Sequence, residues 1–218
     1  MTQVALFHFP GACSSVTRNA LEEIGLKYDV PVVNILAGEQ KTPEYLSINP
    51  KGKVPALRVE DLVLTENAAI LHHLNAIYPE TGLLPREEAK LGMNQNLQDL
   101  VWCSATLHPM TRQVRNPMRF TTGETNGVWT RGIELWQPVL KALQEHFETA
   151  SWWYGEVWSI VDVFIYWNYT TAAGGGLDLS PYPAITRHAD RVQSRPSFQR
   201  TFALDKETFE RAGIQLPG

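Results

Sequence analysis

The sequence predicts an α/β domain followed by an all-α domain, with the boundary close to residue 81. Three observations carry this expectation. Strand and helix signals alternate over the first 81 residues, then a stretch with Pro79, Gly82 and Pro85 interrupts them. Beyond it apolar residues recur at helical spacing and no strand alternation returns. The chain has 218 residues, enough for two small domains with a core each. The expected domains are therefore residues 1–81 and 89–218, joined by a linker over 78–88.

Each element has its own signal. Residues 4–9 form a short apolar, β-prone run stopped by Pro10-Gly11. From Ser14 a helix is expected, with Val16, Ala20, Leu21 and Ile24 on one face and Gly25 as its stop. Residues 28–35 are rich in Val and read as a second strand, while 36–48 are polar with room for one short helix. Residues 54–59 and 62–64 flank Glu60-Asp61, which reads as a tight hairpin. Ile70, Leu71, Leu74 and Ile77 then recur at helical spacing. The order β-α-β-(α)-β-β-α, with a parallel first pair and an antiparallel second pair, is that of a thioredoxin-like domain. Residues 89–108 and 128–147 each read as a long helix.

Composition removes several function classes. A formal net charge of -4 gives no support to nucleic-acid binding, which needs clustered Lys and Arg. No apolar run approaches the roughly 20 residues that cross a bilayer, and the first nine residues read as a strand instead of a signal peptide. The two cysteines, Cys13 and Cys103, are too few for a disulfide framework, and the expected setting is cytoplasmic. His72 and His73 are adjacent and cannot share one helical face, so no metal site is expected.

Four motifs carry the chemistry. In Asn49-Pro50-Lys51-Gly52-Lys53-Val54-Pro55, a proline entering a strand belongs at an edge or bend. A cis peptide at Val54-Pro55 would turn the Val54 backbone outward to pair with a peptide-like ligand. In Leu64-Thr65-Glu66-Asn67-Ala68, a helix N-terminus suits a carboxylate. Asn67 can donate to that carboxylate and Glu66 can accept from an ammonium beside it, which together would grip an amino-acid-like end group. Plain helix capping is the simpler account of the same residues. Pro10-Gly11-Ala12-Cys13-Ser14-Ser15 sets a thiol and two hydroxyls at a helix N-terminus, where a nearby thiolate is stabilised. The competing account makes Cys13 a small buried filler. Ser159 with Asp162 three positions later is a capping box, a feature that sets the fold.

Pro-Gly-Ala-Cys-Ser at 10–14, the Pro-Lys-Gly-Lys-Val-Pro loop and the Thr-Glu-Asn-Ala-Ala-Ile-Leu helix start together resemble the glutathione site of the cytosolic glutathione transferases. The bacterial beta class is the nearest match. The resemblance implies glutathione as co-substrate, no metal, and a detoxifying homodimer acting on a hydrophobic or aromatic electrophile. It implies cofactor-binding roles for Lys53, Val54, Pro55, Glu66 and Asn67, and catalytic roles shared among Cys13, Ser14, Ser15 and His108. Phe9, Pro10, Arg112 and Trp167 would line the electrophile pocket. The sequence departs from the family at Asn67, where Ser is usual, and at Pro109, where a lysine is expected after Leu107-His108. His108 is equally read as a histidine near a proline-kinked helix end. Alternatives in the same frame are a Cys13-dependent thiol-disulfide reductase, a lyase, ether-cleaving enzyme or dehalogenase, and a non-catalytic carrier. Arg112, Arg115 and Arg119 repeat at helical spacing, as a solvated face or as a site for an anionic second substrate. Trp102 and Trp167 are the two tryptophans considered for a pocket, and Gly174-Gly175-Gly176 reads as a helix terminus.

Overall fold

A computed structural model of the protein describes residues 3–85 and 95–214. Its first strand, β1 (Val4–Phe7), pairs antiparallel with β2 (Ala56–Val59), which pairs antiparallel with β3 (Leu62–Thr65). The hairpin between β2 and β3 closes on Val59 and Leu62, as Glu60-Asp61 predicts, and Glu60 takes a φ of 53°. The expected second strand over 28–35 is not continuous. Parallel bridges join Ala5 to Asp29 and His8 to Val32, and Pro31 lies between them. Proline has no N–H to give to a ladder, so the run breaks there. Its carbonyl still accepts from the His8 amide at 3.1 Å. The parallel first pair therefore exists as two separate rungs.

The helices α1 (Ser14–Ile24), α2 (Pro43–Ile48) and α3 (Asn67–Ile77) complete this part. Gly25 ends α1 in the left-handed conformation, and its N–H returns to the Leu21 carbonyl. Phe7 and Ala56, which face each other across β1 and β2, pack with Val33 and Tyr45. Alternation leaves Leu6 and Leu57, both fully buried, for the opposite face.

The later helices are α4 (Gln95–Val101), α5 (His108–Arg115), α6 (Asn126–Thr149), α7 (Ile160–Ala173), α8 (Pro183–Ser194) and α9 (Pro196–Ala212). Of the helix expected over 89–108, residues 89–94 lie outside the described residues, as do 86–88 of the linker. A π-helical stretch, Trp102–Leu107, joins α4 to α5. Pro109 explains it: a proline clashes with the carbonyl one α-helical turn back and cannot bond to it. Here the His108 N–H reaches Cys103, five residues back, and the helix widens instead of ending at His108. Ser159 and Asp162 form the expected capping box on α7, and Gly174 to Gly176 follow that helix, with the Gly175 carbonyl accepting from Trp129 Nε1 at 2.8 Å.

The chain divides into two compact units, residues 1–83 with 195–218, and residues 84–194. The second unit is helical, built on α6 packing against α5 and α8, and on α5 against α7. The expected helical domain over 89–218 thus loses its last helix. α9 packs on α1, and its buried Asp205 is bonded to residues of the first unit. No helix among the described residues is long and apolar enough to cross a membrane.

Candidate functional site

The turn at 10–15 and the loop at 49–55 meet in the first unit. Gly11 takes a φ of 74°, which lets the chain turn sharply into α1, and Cys13 occupies the N-cap position. The Cys13 thiol lies 3.5 Å from the Val54 carbonyl. The Val54-Pro55 peptide is cis, as the motif predicts. Just before it, the Lys53 carbonyl accepts from Tyr45 Oη and Asn49 Nδ2, both at 2.7 Å, which anchors the loop. The Lys53 side chain itself is exposed and Pro55 is buried. Gly52 is required because a Cβ there would stand 2.8 Å from the Gln40 carbonyl oxygen.

The start of α3 abuts the same turn. Glu66 holds φ 72° and ψ 122°, a conformation costly for a residue with a Cβ. Its exposed carboxylate pairs with Lys51 Nζ at 2.9 Å. Such strain is retained where position matters more than stability. Replacing Glu66 with glycine is expected to stabilise the chain by roughly 1 kcal/mol. Urea unfolding checks it, and a glycine variant no more stable than the parent would refute the strain at this position.

Asn67 sits differently from expectation. It is 5% exposed, its Oδ1 accepts from Thr17 Oγ1 at 2.6 Å, and its Nδ2 donates to the Cys13 carbonyl at 2.9 Å. Its side chain ties the start of α3 to the start of α1 and faces inward. What this helix end presents is its backbone amides and the Glu66 carboxylate.

The two serines also face inward. Ser14 Oγ is buried, 2.8 Å from His8 Nδ1, and accepts from the Phe9 amide at 3.3 Å. His8 Nε2 lies 3.0 Å from Asp205 Oδ1, and Arg18 Nη1 donates to that oxygen at 2.5 Å. A carboxylate only accepts, so His8 Nε2 carries a proton. Burial lowers the His8 pKa against the pull of Asp205, which leaves Nδ1 to accept from Ser14. Burial alone would raise the Asp205 carboxyl. The bond from His8, the Arg18 guanidinium and the Ser15 bond outweigh it and hold that carboxyl below its usual range. The order serine, histidine, aspartate is that of a hydrolytic triad, but the buried Ser14 offers no surface to a substrate. Ser15 Oγ donates to Asp205 Oδ2 at 2.8 Å and accepts from the Gly11 amide at 3.1 Å. Its one proton is thereby engaged. Of the three candidates at this turn, Cys13 alone directs its side chain to Val54.

Phe9, expected to line a pocket, is 4% exposed with its ring edge-on to Phe209 at 5.7 Å, and Pro10 is buried beside it. In the helical unit His108 and Trp167 meet edge to face at 4.9 Å, both half-buried, while Trp102 is stacked on Trp153 at 5.2 Å. Arg112 is half-buried on α5. Arg115 donates to the Gly174 carbonyl at 3.1 Å and so serves the end of α7. Arg119 is exposed.

The first unit thus sets a thiol at the start of α1 beside a cis X-Pro loop, with an acidic residue at the start of α3. The model of the family described as glutathione S-transferase, N-terminal domain, matches residues 2–76. Maleylacetoacetate isomerase of Pseudomonas aeruginosa is 29% identical over 198 residues, 88% of this chain and 92% of that protein. A glutathione transferase homologue from Sulfitobacter, solved with bound glutathione, superimposes with a TM-score of 0.80 at 26% identity, covering 99% of this chain and 100% of that one. A beta-class glutathione S-transferase from Sphingomonas chungbukensis does so with a TM-score of 0.80 at 28% identity, covering 92% and 98%. Residues 2–76 thus match a glutathione S-transferase N-terminal domain, and the chain as a whole is similar to glutathione-dependent enzymes.

Proposed function

We propose that this chain binds glutathione in its first unit and turns the glutathione thiol on a small hydrophobic or aromatic electrophile. The observation that carries the reading is the meeting of Cys13 Sγ and the Val54 carbonyl at the α1 start, 3.5 Å apart. Among the described residues no protein acceptor meets the Val54 N–H, which suits a peptide-like ligand. The strained Glu66 and the α3 amides suit an amino-acid end group that carries both charges. Lys53 stands beside the same loop. Glutathione supplies the nucleophilic sulfur; the α1 start and the Cys13 thiol favour its charged form. In the helical unit, His108, Trp167 and Arg112 are the candidates for the second substrate, with His108 as the proton-transfer group. By the family resemblance the working form is a cytoplasmic homodimer with a detoxifying role.

The identity of the relatives favours a second reading. One similar protein is called maleylacetoacetate isomerase, so the same thiol could add to an activated double bond and leave again. Stoichiometry separates the two. With an aromatic halide as electrophile, conjugation consumes one glutathione for each product formed. An isomerisation runs to completion with glutathione at catalytic amounts. Failure of the protein to bind glutathione in titration calorimetry would overturn both.

A further inference from the structure

The last helix carries a residue that the chemistry above does not use. Asp205 on α9 is 8% exposed and all of its bonds run to β1, α1 and the turn between them. One oxygen takes His8 Nε2 at 3.0 Å and Arg18 Nη1 at 2.5 Å. The other takes the Ser15 hydroxyl at 2.8 Å and the Gly11 amide at 3.4 Å. Gly11 and Ser15 bracket Cys13, and Ser15 also accepts from Gly11, so the three groups form a closed loop around the turn. Cys13 itself is fixed on the other side, where Asn67 holds its carbonyl. The turn is thus clamped from two directions, and Cys13 faces Val54 in the gap.

We propose that Asp205 is a positioning residue for the thiol-activating turn, acting through Ser15 and Gly11. The inference rests on the glutathione reading of that turn. His8 and Arg18 fix the carboxylate in the interior, where four donors satisfy it and set its angle. The carboxylate then draws the Ser15 proton and the Gly11 amide inward. This keeps the Ser15 hydroxyl off the ligand and leaves the Cys13 thiol, against the Val54 carbonyl, as the side chain of the turn that faces that loop. Misplacement by a fraction of an ångström at such a turn is costly to the reaction and cheap for binding, since Val54 and Glu66 are held by other contacts.

The test is a double-mutant cycle on the full chain with Asp205→Asn and Ser15→Ala. Each single change is expected to lower kcat by about tenfold to a hundredfold with KM for glutathione held within about threefold. Because both act through one bond, the double variant is expected to be no slower than the worse single one. A readout that needs no glutathione is the rate at which iodoacetamide alkylates Cys13 at neutral pH; Cys103 is fully buried and stays silent. Positioning predicts slower alkylation in Asp205→Asn, since a displaced thiol leaves the helix field. A purely electrostatic role predicts the reverse, because the change removes a negative charge and uncovers Arg18. Faster or unchanged alkylation, or additive losses in the cycle, would overturn the proposal. If Asp205→Asn does not fold, Ser15→Ala decides it by the same kcat and alkylation readings. If the native protein proves unable to bind glutathione, the functional reading fails, and the alkylation rates still decide whether Asp205 sets the thiol.

Discussion

Replacing Asp162 by alanine is expected to destabilise the helical unit by about 3–5 kcal/mol, the largest stability effect of any single change. That is a large share of the roughly 5–15 kcal/mol that holds a domain folded. Asp162 has no exposed surface. One oxygen accepts from the Trp153 amide at 2.7 Å and lies 3.2 Å from His188 Nε2; the other accepts from the Ser159 amide at 3.0 Å and from its hydroxyl at 3.2 Å. Alanine leaves each of those donors buried and unmatched. Asparagine is expected to do little better, since its amide would turn donors toward donors. Ser159→Ala removes one cap only and should cost about 0.5–2 kcal/mol. Urea unfolding of the three variants measures the order, and equal losses for Asp162→Ala and Ser159→Ala would refute it.

The same cluster gives stability a pH dependence. His188 is stacked on Phe147 at 4.0 Å, and burial lowers its pKa in spite of the bond with Asp162. The unfolded chain, with histidine near its ordinary 6.5, therefore takes up a proton before the folded one does. Stability is complete above that value and falls as the pH drops below it. His8, also lowered by burial, acts in the same direction. The limiting slope is about 1.4 kcal/mol per pH unit for each histidine. Unfolding midpoints at several pH values between neutral and mildly acidic read it out.

Cys13→Ala is expected to have the largest effect on activity, a loss of kcat of about a hundredfold with glutathione affinity held within about threefold. Val54, Glu66 and the α3 amides, which would carry most of the binding, are untouched by this change. Cys13→Ser separates the roles a thiol can play. Serine keeps a donor at the helix start, so conjugation should persist while disulfide exchange disappears. Loss of conjugation in both variants would instead require sulfur chemistry at Cys13. Full activity in both would exclude Cys13 and return the choice to Ser15. Ser14→Ala should cost stability and leave the bound thiol unaffected, because its hydroxyl belongs to His8 and Phe9.

Elements with strong local signals were legible in the sequence: α1 with its Gly25 stop, the hairpin at Glu60-Asp61, the Ser159-Asp162 box. The motifs at 10–15 and 49–55 were each legible, but the meeting of Cys13 with Val54 joins residues 41 apart and was not. Other features depend on partners far away in the chain. Ser14, Arg18 and Leu21 recur on one face of α1, so the periodicity that buried Leu21 could have buried Ser14 as well. A buried arginine on that face is itself a signal, since a buried charge demands a partner. The sequence offers no means of finding that the partner is Asp205. The break at Pro31 and the widened turn before Pro109 were readable as proline effects, but whether a proline stops an element or deforms it is decided by what packs around it. Asn67 looked like a ligand donor because its helix position allowed it; Thr17 and the Cys13 carbonyl claimed it first.

The placement of α9 ties the first part of the chain to be made to one of the last. Ser15 and Asp205 are 190 residues apart, so the N-terminal turn is synthesised long before the carboxylate that completes it. Until then Arg18 has no counter-charge and the His8 Nε2 proton no acceptor, and the nascent first unit carries an unfinished interior while the helical unit emerges behind it. An isolated fragment ending at residue 83 inherits that same gap. Maturation of the N-terminal half is thereby timed by the C-terminal end of the chain.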